Sequence, residues 1–149
     1  MSSGISPSVG EVSPAEAWNI LATEENARLV DVRTSAEWGF VGIPDLSDLG
    51  QSVVCVEWAG YPGMSKNTRF VETLKENLGD EGPGKLLFLC RSGVRSLHAA
   101  EAYTTYCAQQ GAAVQCLNVA EGFEGDLDSY GHRAQLNGWK FRGLAWRQS

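Results

Sequence analysis

Leu86-Leu87-Phe88-Leu89-Cys90-Arg91-Ser92-Gly93-Val94-Arg95-Ser96 passes, within eleven residues, from an apolar run into a loop holding a thiol, two guanidiniums and a glycine. The four leading residues carry no polar side chain and are too few for a helix, which predicts a strand buried on both faces, as in a parallel sheet. Beyond the loop, Ala99, Ala100, Tyr103, Tyr106 and Cys107 recur at helical spacing. A helix is therefore expected from about Ser96 to Gln110, with Ser96 as its N-cap and Gly111 as its stop. A strand passing through a tight turn into a helix is the repeating unit of α/β folds, and ligands there bind beyond the carboxyl ends of the strands. Cys90 stands at such an end.

The same alternation extends in both directions. Ser13-Pro14-Ala15-Glu16 pairs an N-cap serine with a glutamate three residues on, with proline at the first helical position, and Ala17, Ile20 and Leu21 continue a helical stripe. Leu29-Val30-Asp31-Val32 predicts a short buried strand with its polar residue near the end. Thr34 to Gly50, containing Trp38, Phe40, Gly42 and Pro44, is expected as loop or a broken turn of helix. Val53-Val54-Cys55-Val56 predicts another strand covered on both faces, ended by a turn over Gly60 to Gly63. Phe70, Val71, Leu74 and Leu78 form a helical stripe with Asn67 and Thr68 as candidate caps, Gly79 as stop, and a turn from Asp80 to Gly84 after it. Val114 to Leu117 gives a further strand, followed by a long loop from Asn118 to Tyr130 and a terminal helix near His132 to Trp139. The expected class is α/β: a single domain whose parallel β-sheet, of about five strands, is flanked by helices on both faces. A chain of 149 residues fits one domain, here residues 11–149 behind a flexible tail over residues 1–10.

Composition narrows the function. With 43% hydrophobic residues and five Trp, the chain supports a packed core. The net charge of −6 speaks against binding a nucleic-acid backbone, which requires clustered bases. That charge is unevenly shared: residues 1–65 carry nine acids and two bases, residues 66–149 nine acids and ten bases. An anionic ligand is expected on the second half. Cys55, Cys90, Cys107 and Cys116 form no CxxC pair, so neither a structural zinc site nor a disulfide framework is expected. No export signal and no run of eighteen apolar residues is visible, and a soluble, cytoplasmic protein with reduced thiols and no membrane contact is the expectation.

The loop after Leu89 carries the chemistry. A thiol beside two fixed cations and at a helix N-terminus has its thiolate favoured, which makes Cys90 the candidate nucleophile. Gly93 can adopt positive φ and direct amide N–H groups inward around an anion or an added sulfur. Arg91 and Arg95 can fix sulfonate or phosphate oxygens. The candidate substrate-binding residues are thus Arg91, Ser92, Gly93, Val94, Arg95 and Ser96.

Other chemically capable residues read as structural. Arg33 is expected to pair with Glu37 while Asp31 secures local backbone. His98 points about 200° away from Ser96 on a helix and is assigned to surface or packing. His132 is expected to cap or pack at the start of the last helix. Cys55, Cys107 and Cys116 fall on core positions. The acids Glu121, Glu124, Asp126 and Asp128 lack the order of a calcium loop and read as a solvated wall near the site's mouth. Trp139 and Trp146 are expected to pack the terminal helix on the body.

On three segments the sequence resembles the rhodanese superfamily of single-domain sulfurtransferases. Cys90-Arg91-Ser92-Gly93-Val94-Arg95 is similar to the six-residue active-site loop. Leu29-Val30-Asp31-Val32-Arg33 with Glu37 resembles the first signature, although Gly42-Ile43-Pro44 stands where many members carry Gly-His-Ile. Gly122-Phe123-Glu124-Gly125-Asp126, Asn137-Gly138-Trp139-Lys140 and Gly143-Leu144-Ala145-Trp146 resemble the C-terminal signature. The resemblance implies a thiosulfate sulfurtransferase working through a Cys90 persulfide without metal or organic cofactor. It implies a small anionic sulfur donor and a thiol, cyanide or protein acceptor. A non-catalytic module that docks to a partner is the alternative. Cysteine-dependent phosphatases use a related loop of Cys, five residues and Arg; here residue 96 is Ser and the arginine comes one place early, at Arg95.

Overall fold

The computed structural model describes residues 8–79 and 82–149, so most of the expected tail, and Asp80 and Glu81 of the expected turn, lie outside the described residues. Along the chain come β1 (Gly10–Val12), α1 (Pro14–Thr23), β2 (Ala27–Asp31), α2 (Ser35–Phe40), β3 (Ile43–Pro44), β4 (Val54–Cys55), β5 (Ala59–Gly60), β6 (Ser65–Lys66), α3 (Phe70–Leu78), β7 (Lys85–Leu89), α4 (Val94–Gln109), β8 (Gln115–Val119) and β9 (Trp146–Arg147). Five strands form one parallel sheet in the order β1-β8-β7-β2-β4. β7 is central, and its residues Leu86 to Leu89 are wholly buried, as their unbroken apolar run requires.

Alternation along the strands divides the core between the two faces. Val30, Phe88 and Cys90 turn toward α3 and α4, where Phe70, Leu74, Ala99, Ala100 and Tyr103 meet them. Leu29, Leu87 and Leu89 turn the other way, toward Ala17 and Leu21 of α1 and toward Phe123 and Trp139. The helices of this α/β domain therefore cover both faces. No described helix is long and apolar enough to cross a membrane.

Several local expectations hold in detail. Ser13 Oγ accepts from Glu16 N–H at 3.1 Å and Glu16 Oε1 accepts from Ser13 N–H at 2.8 Å, the reciprocal cap read from the sequence. Gly79 ends α3 with φ +82°. Of the two readings of Thr34–Gly50, loop or a broken turn of helix, the helical one holds at its start, where Thr34 and Glu37 form a second reciprocal cap that opens α2. Others are corrected. The Val53–Val56 run lies at the sheet edge, where Val54 and Cys55 are in register with β2 and Val56 N–H donates to Asp31 O at 3.1 Å; Val54 and Val56 are buried, while Val53 and Cys55 on the other face are half-buried. Arg69, without a side-chain cap bond, stands at the N-cap of α3 in place of Asn67 or Thr68; Asn67 Oδ1 instead accepts Arg69 N–H at 3.0 Å.

The terminal helix near His132 to Trp139 does not form. Its backbone donors go elsewhere: Ala134 N–H to Glu124 O at 2.7 Å and Trp139 N–H to Gly122 O at 2.8 Å. The segment is thus laced to the loop after β8, and Gly138, at φ +104°, has a backbone unsuited to a helix. Trp139 nevertheless packs on the body as expected, fully buried, edge-on to Trp18 at 6.0 Å, with Nε1 donating to Ala145 O. β9 then pairs antiparallel with β3.

Candidate active site

The site begins where the apolar strand stops. β2 and β7 stay paired to their ends, with Val32 N–H donating to Leu89 O at 2.9 Å, so Cys90 leaves the sheet from a rigid frame. Gly93, at φ +114°, turns the chain and is itself the N-cap of α4. Its N–H donates to Cys90 Sγ at 3.1 Å. The helix starts before Ser96, which stands at its third position and is not the expected cap. Freed from capping, the Ser96 hydroxyl faces inward, 3.2 Å from Cys90 Sγ and 2.6 Å from Asn118 Oδ1. Asn118 Nδ2 donates to Gly93 O at 3.1 Å. Cys90 is 1% exposed, at the floor of this cradle and beside the positive end of α4.

The loop backbone is fixed from behind. Cys90 O accepts Phe123 N–H at 2.7 Å, and Arg91 O accepts from Glu124 N–H at 3.0 Å and Gly125 N–H at 3.1 Å. The segment after β8 is thus a strap under the loop. Glu121 does not face open solvent alone: its carboxylate accepts from Arg142 at 3.0 Å and from Gly138 N–H at 2.9 Å.

Charge at the site is arranged differently from the sequence expectation. Glu37 pairs with Arg95, not Arg33, through two parallel bonds of 2.8 and 3.0 Å. Burial alone would raise the Glu37 carboxyl, but the Arg95 hydrogen bonds and the Thr34 N–H outweigh it and hold the group at about 2. Arg33 instead grips Asp31, with Nη2 at 2.7 Å from Oδ2, donates to Gly42 O, and stacks over Phe123 at 4.3 Å. Both members of that pair are fully buried. Of the two loop arginines, Arg91 is exposed and Arg95 is oriented by its acid partner. Ser92 and Gly93 are half-buried, and Val94 is exposed at the rim.

The remaining thiols are set apart. Cys55 is in register with Asp31, and Asp31 with Leu89, so Cys55 points to the face opposite Cys90. Burial, with Asp31 adding to it, pushes Cys55 up to about 12, and burial takes Cys116 to about 11. Cys107 is also raised by burial. His98 is exposed, 3.7 Å from Glu101, and no part of the cradle. His132 is exposed, and its N–H donates to Asp128 Oδ1 at 2.8 Å. Two site residues escaped the sequence reading. Asn118 had a visible signal, a lone amide in the apolar run from Cys116 to Val119. Glu37 had one in the Thr34-x-x-Glu37 cap pattern.

No family model matches the sequence. A protein of Rickettsia conorii named uncharacterized protein RC0915 is 34% identical over 140 residues, covering 94% of this chain and 98% of the relative. The crystal structure of Rv0390 from M. tuberculosis is similar with a TM-score of 0.80 and 44% identity, covering 95% of this chain and 98% of that one. The polysulfide-sulfur transferase homodimer from Wolinella succinogenes gives a TM-score of 0.57 at 18% identity, over 95% of this chain and 80% of that one. An As-Sb reductase from Leishmania major gives 0.59 at 14%, over 85% and 92%. The likeness to these last two is one of fold, and that fold is the single rhodanese-like α/β domain.

Proposed function

We propose that this chain, which belongs to the family that contains RC0915 and Rv0390, is a sulfurtransferase. It moves sulfane sulfur from thiosulfate, or a related small anionic donor, to a thiophilic acceptor. The observation that carries this reading is the cradle of Cys90: a buried sulfur with the Gly93 N–H at 3.1 Å and the Ser96 hydroxyl at 3.2 Å, at the start of α4.

In the first half-reaction the Cys90 thiolate attacks the outer sulfur of thiosulfate. The donor's S–S bond breaks, its electron pair leaves on sulfite, and a Cys90 persulfide remains. In the second, a thiolate or cyanide attacks the outer sulfur and the pair returns to Cys90 as thiolate. Arg91, exposed at the rim, meets the sulfonate oxygens. Arg95 directs two of its N–H groups at Glu37 and keeps the others for the site. No step calls for a metal or organic cofactor. The loop's arginine at position 95, one place short of the phosphatase spacing, gives a cradle sized for a sulfur atom more than for a phosphoryl group.

Purified protein incubated with thiosulfate is expected to gain the mass of one sulfur atom, and Cys90→Ala none. An adduct that persists in Cys90→Ala overturns the assignment. Turnover of thiosulfate and cyanide no higher than the Cys90→Ala background makes the protein a docking module, and hydrolysis of an aryl phosphate makes it a phosphatase.

A further inference from the structure

Ser96 has one hydroxyl hydrogen and two neighbours that could take it: Cys90 Sγ at 3.2 Å and Asn118 Oδ1 at 2.6 Å. The Asn118 amide cannot be turned round, because Nδ2 donates to Gly93 O at 3.1 Å and a carbonyl only accepts. Oδ1 therefore faces Ser96, and at 2.6 Å it holds the hydrogen. The Ser96 lone pairs are then left for the sulfur, so the Cys90 thiol donates to Ser96 Oγ while Gly93 N–H donates to Sγ. A thiolate has no hydrogen to give. Its formation requires the hydroxyl to swing from Asn118 to sulfur, which strands Oδ1 of a residue only 2% exposed. A buried acceptor without a donor is disfavoured.

We propose that Asn118 is a positioning residue that sets the reactivity of Cys90 by competing with its sulfur for the hydrogen of Ser96. Asn118 is suited to this because it sits in β8, in register with Phe88 of β7, and so is held by the sheet and not by the loop. The hydroxyl moves to sulfur when the thiolate forms and returns to Asn118 when the inner sulfur of a persulfide, now uncharged, competes less for it. The inference rests on Cys90 being the nucleophile of the proposed reaction. The charged groups around Cys90 are Arg91 on its loop, Arg95 with Glu37 of α2, the Asp31–Arg33 pair at the end of β2, and Glu121 beyond β8. All are kept in the variants below.

The test is the rate of Cys90 alkylation by iodoacetamide against pH, read by peptide mass, in wild type, Asn118→Leu, Asn118→Ala, Ser96→Ala and Ser96→Ala/Asn118→Leu. Without its competitor the hydroxyl stays on sulfur, so Asn118→Leu and Asn118→Ala are expected to lower the midpoint by about half to one pH unit, the worth of one hydrogen bond. Ser96→Ala is expected to raise it, and in that background Asn118→Leu is expected to change nothing further. Asn118→Ala, which introduces no bulk, carries the comparison where leucine disturbs folding. An unmoved midpoint overturns the inference, as does a shift that survives in Ser96→Ala, which a mere brace on Gly93 would give. A wild type whose Cys90 is never alkylated overturns the nucleophile assignment itself; a titrating wild type with unmoved variants overturns the inference alone.

Discussion

Glu37 shows how a single side chain can hold a site residue and carry a pH dependence. Its carboxylate accepts both bonds of the Arg95 fork and a third from Thr34 N–H at 3.1 Å. It is held at about 2 against an ordinary 4.5, so the folded state favours its charged form. Stability from this group is fully present above about 4.5 and is lost as pH falls through about 2. Glu37→Gln, which keeps the shape and removes the charge, is expected to melt at a lower temperature than wild type near neutral pH. The gap between them is expected to close as pH falls from 4.5 to 2. Thermal melts across that range decide it: a gap that stays constant assigns the acid dependence to another group. The same substitution loosens Arg95, so it is also expected to slow sulfur loading from thiosulfate more than sulfur release to cyanide.

Among the elements, the strap after β8 matters most to the loop it supports. Gly122 has φ +69°, and a Cβ placed there would lie 2.5 Å from the Arg91 carbonyl and 2.6 Å from Cys90 O. Gly111, at the end of α4, has nearly the same φ of +71° with open space around it. Alanine at either position meets a left-handed backbone, at a cost of roughly 1–2 kcal/mol. Only Gly122→Ala also pushes the loop. Both variants are expected to lose melting temperature, and only Gly122→Ala is expected to lose sulfur loading, by tenfold or more at a temperature where both are folded. Equal loading in the two would mean that the strap does not hold the catalytic geometry. Elements were legible in the sequence where one segment contained its own reasons. α1 has a cap, a proline and an apolar stripe together. The identical cap pattern of α2 precedes six residues with none fully buried, so no stripe marked it, and its Glu37 is secured by Arg95, 58 positions later. The segment from His132 to Trp139 failed for the same reason: its donors are taken by Gly122 and Glu124, a pairing that no local pattern announces. Cys90 and Gly93 were legible because strand, thiol and turn are contiguous; Asn118 reaches them only through the packing of β8 on β7.

At the scale of the molecule, the two apolar layers share one sheet, and the charge of −6 coexists with a site whose loop carries two arginines. Total charge thus constrains polyanionic partners and says little about a cradle built from amides and a buried thiol. The sheet also couples the layers mechanically. Trp139 is the largest fully buried side chain, in the layer opposite α3 and α4, and it joins three parts of the chain: Trp18 of α1 through its ring, Ala145 through Nε1, and Gly122 through its backbone N–H. Trp139→Ala removes that ring from a packed interior and is expected to cost about 3–5 kcal/mol, a large share of what a domain of this size holds. Because β7 and β2 present residues to both layers, the loss is expected to be felt on both faces at once. Urea titrations followed by far-ultraviolet circular dichroism and by tryptophan fluorescence are expected to give one coincident transition in wild type and in the variant, with a lower midpoint and an unchanged slope. Transitions that separate in Trp139→Ala would show that the layer of α1 and the C-terminal segment unfolds on its own, and that the strap under Cys90 can be released while α3 and α4 remain folded on the sheet.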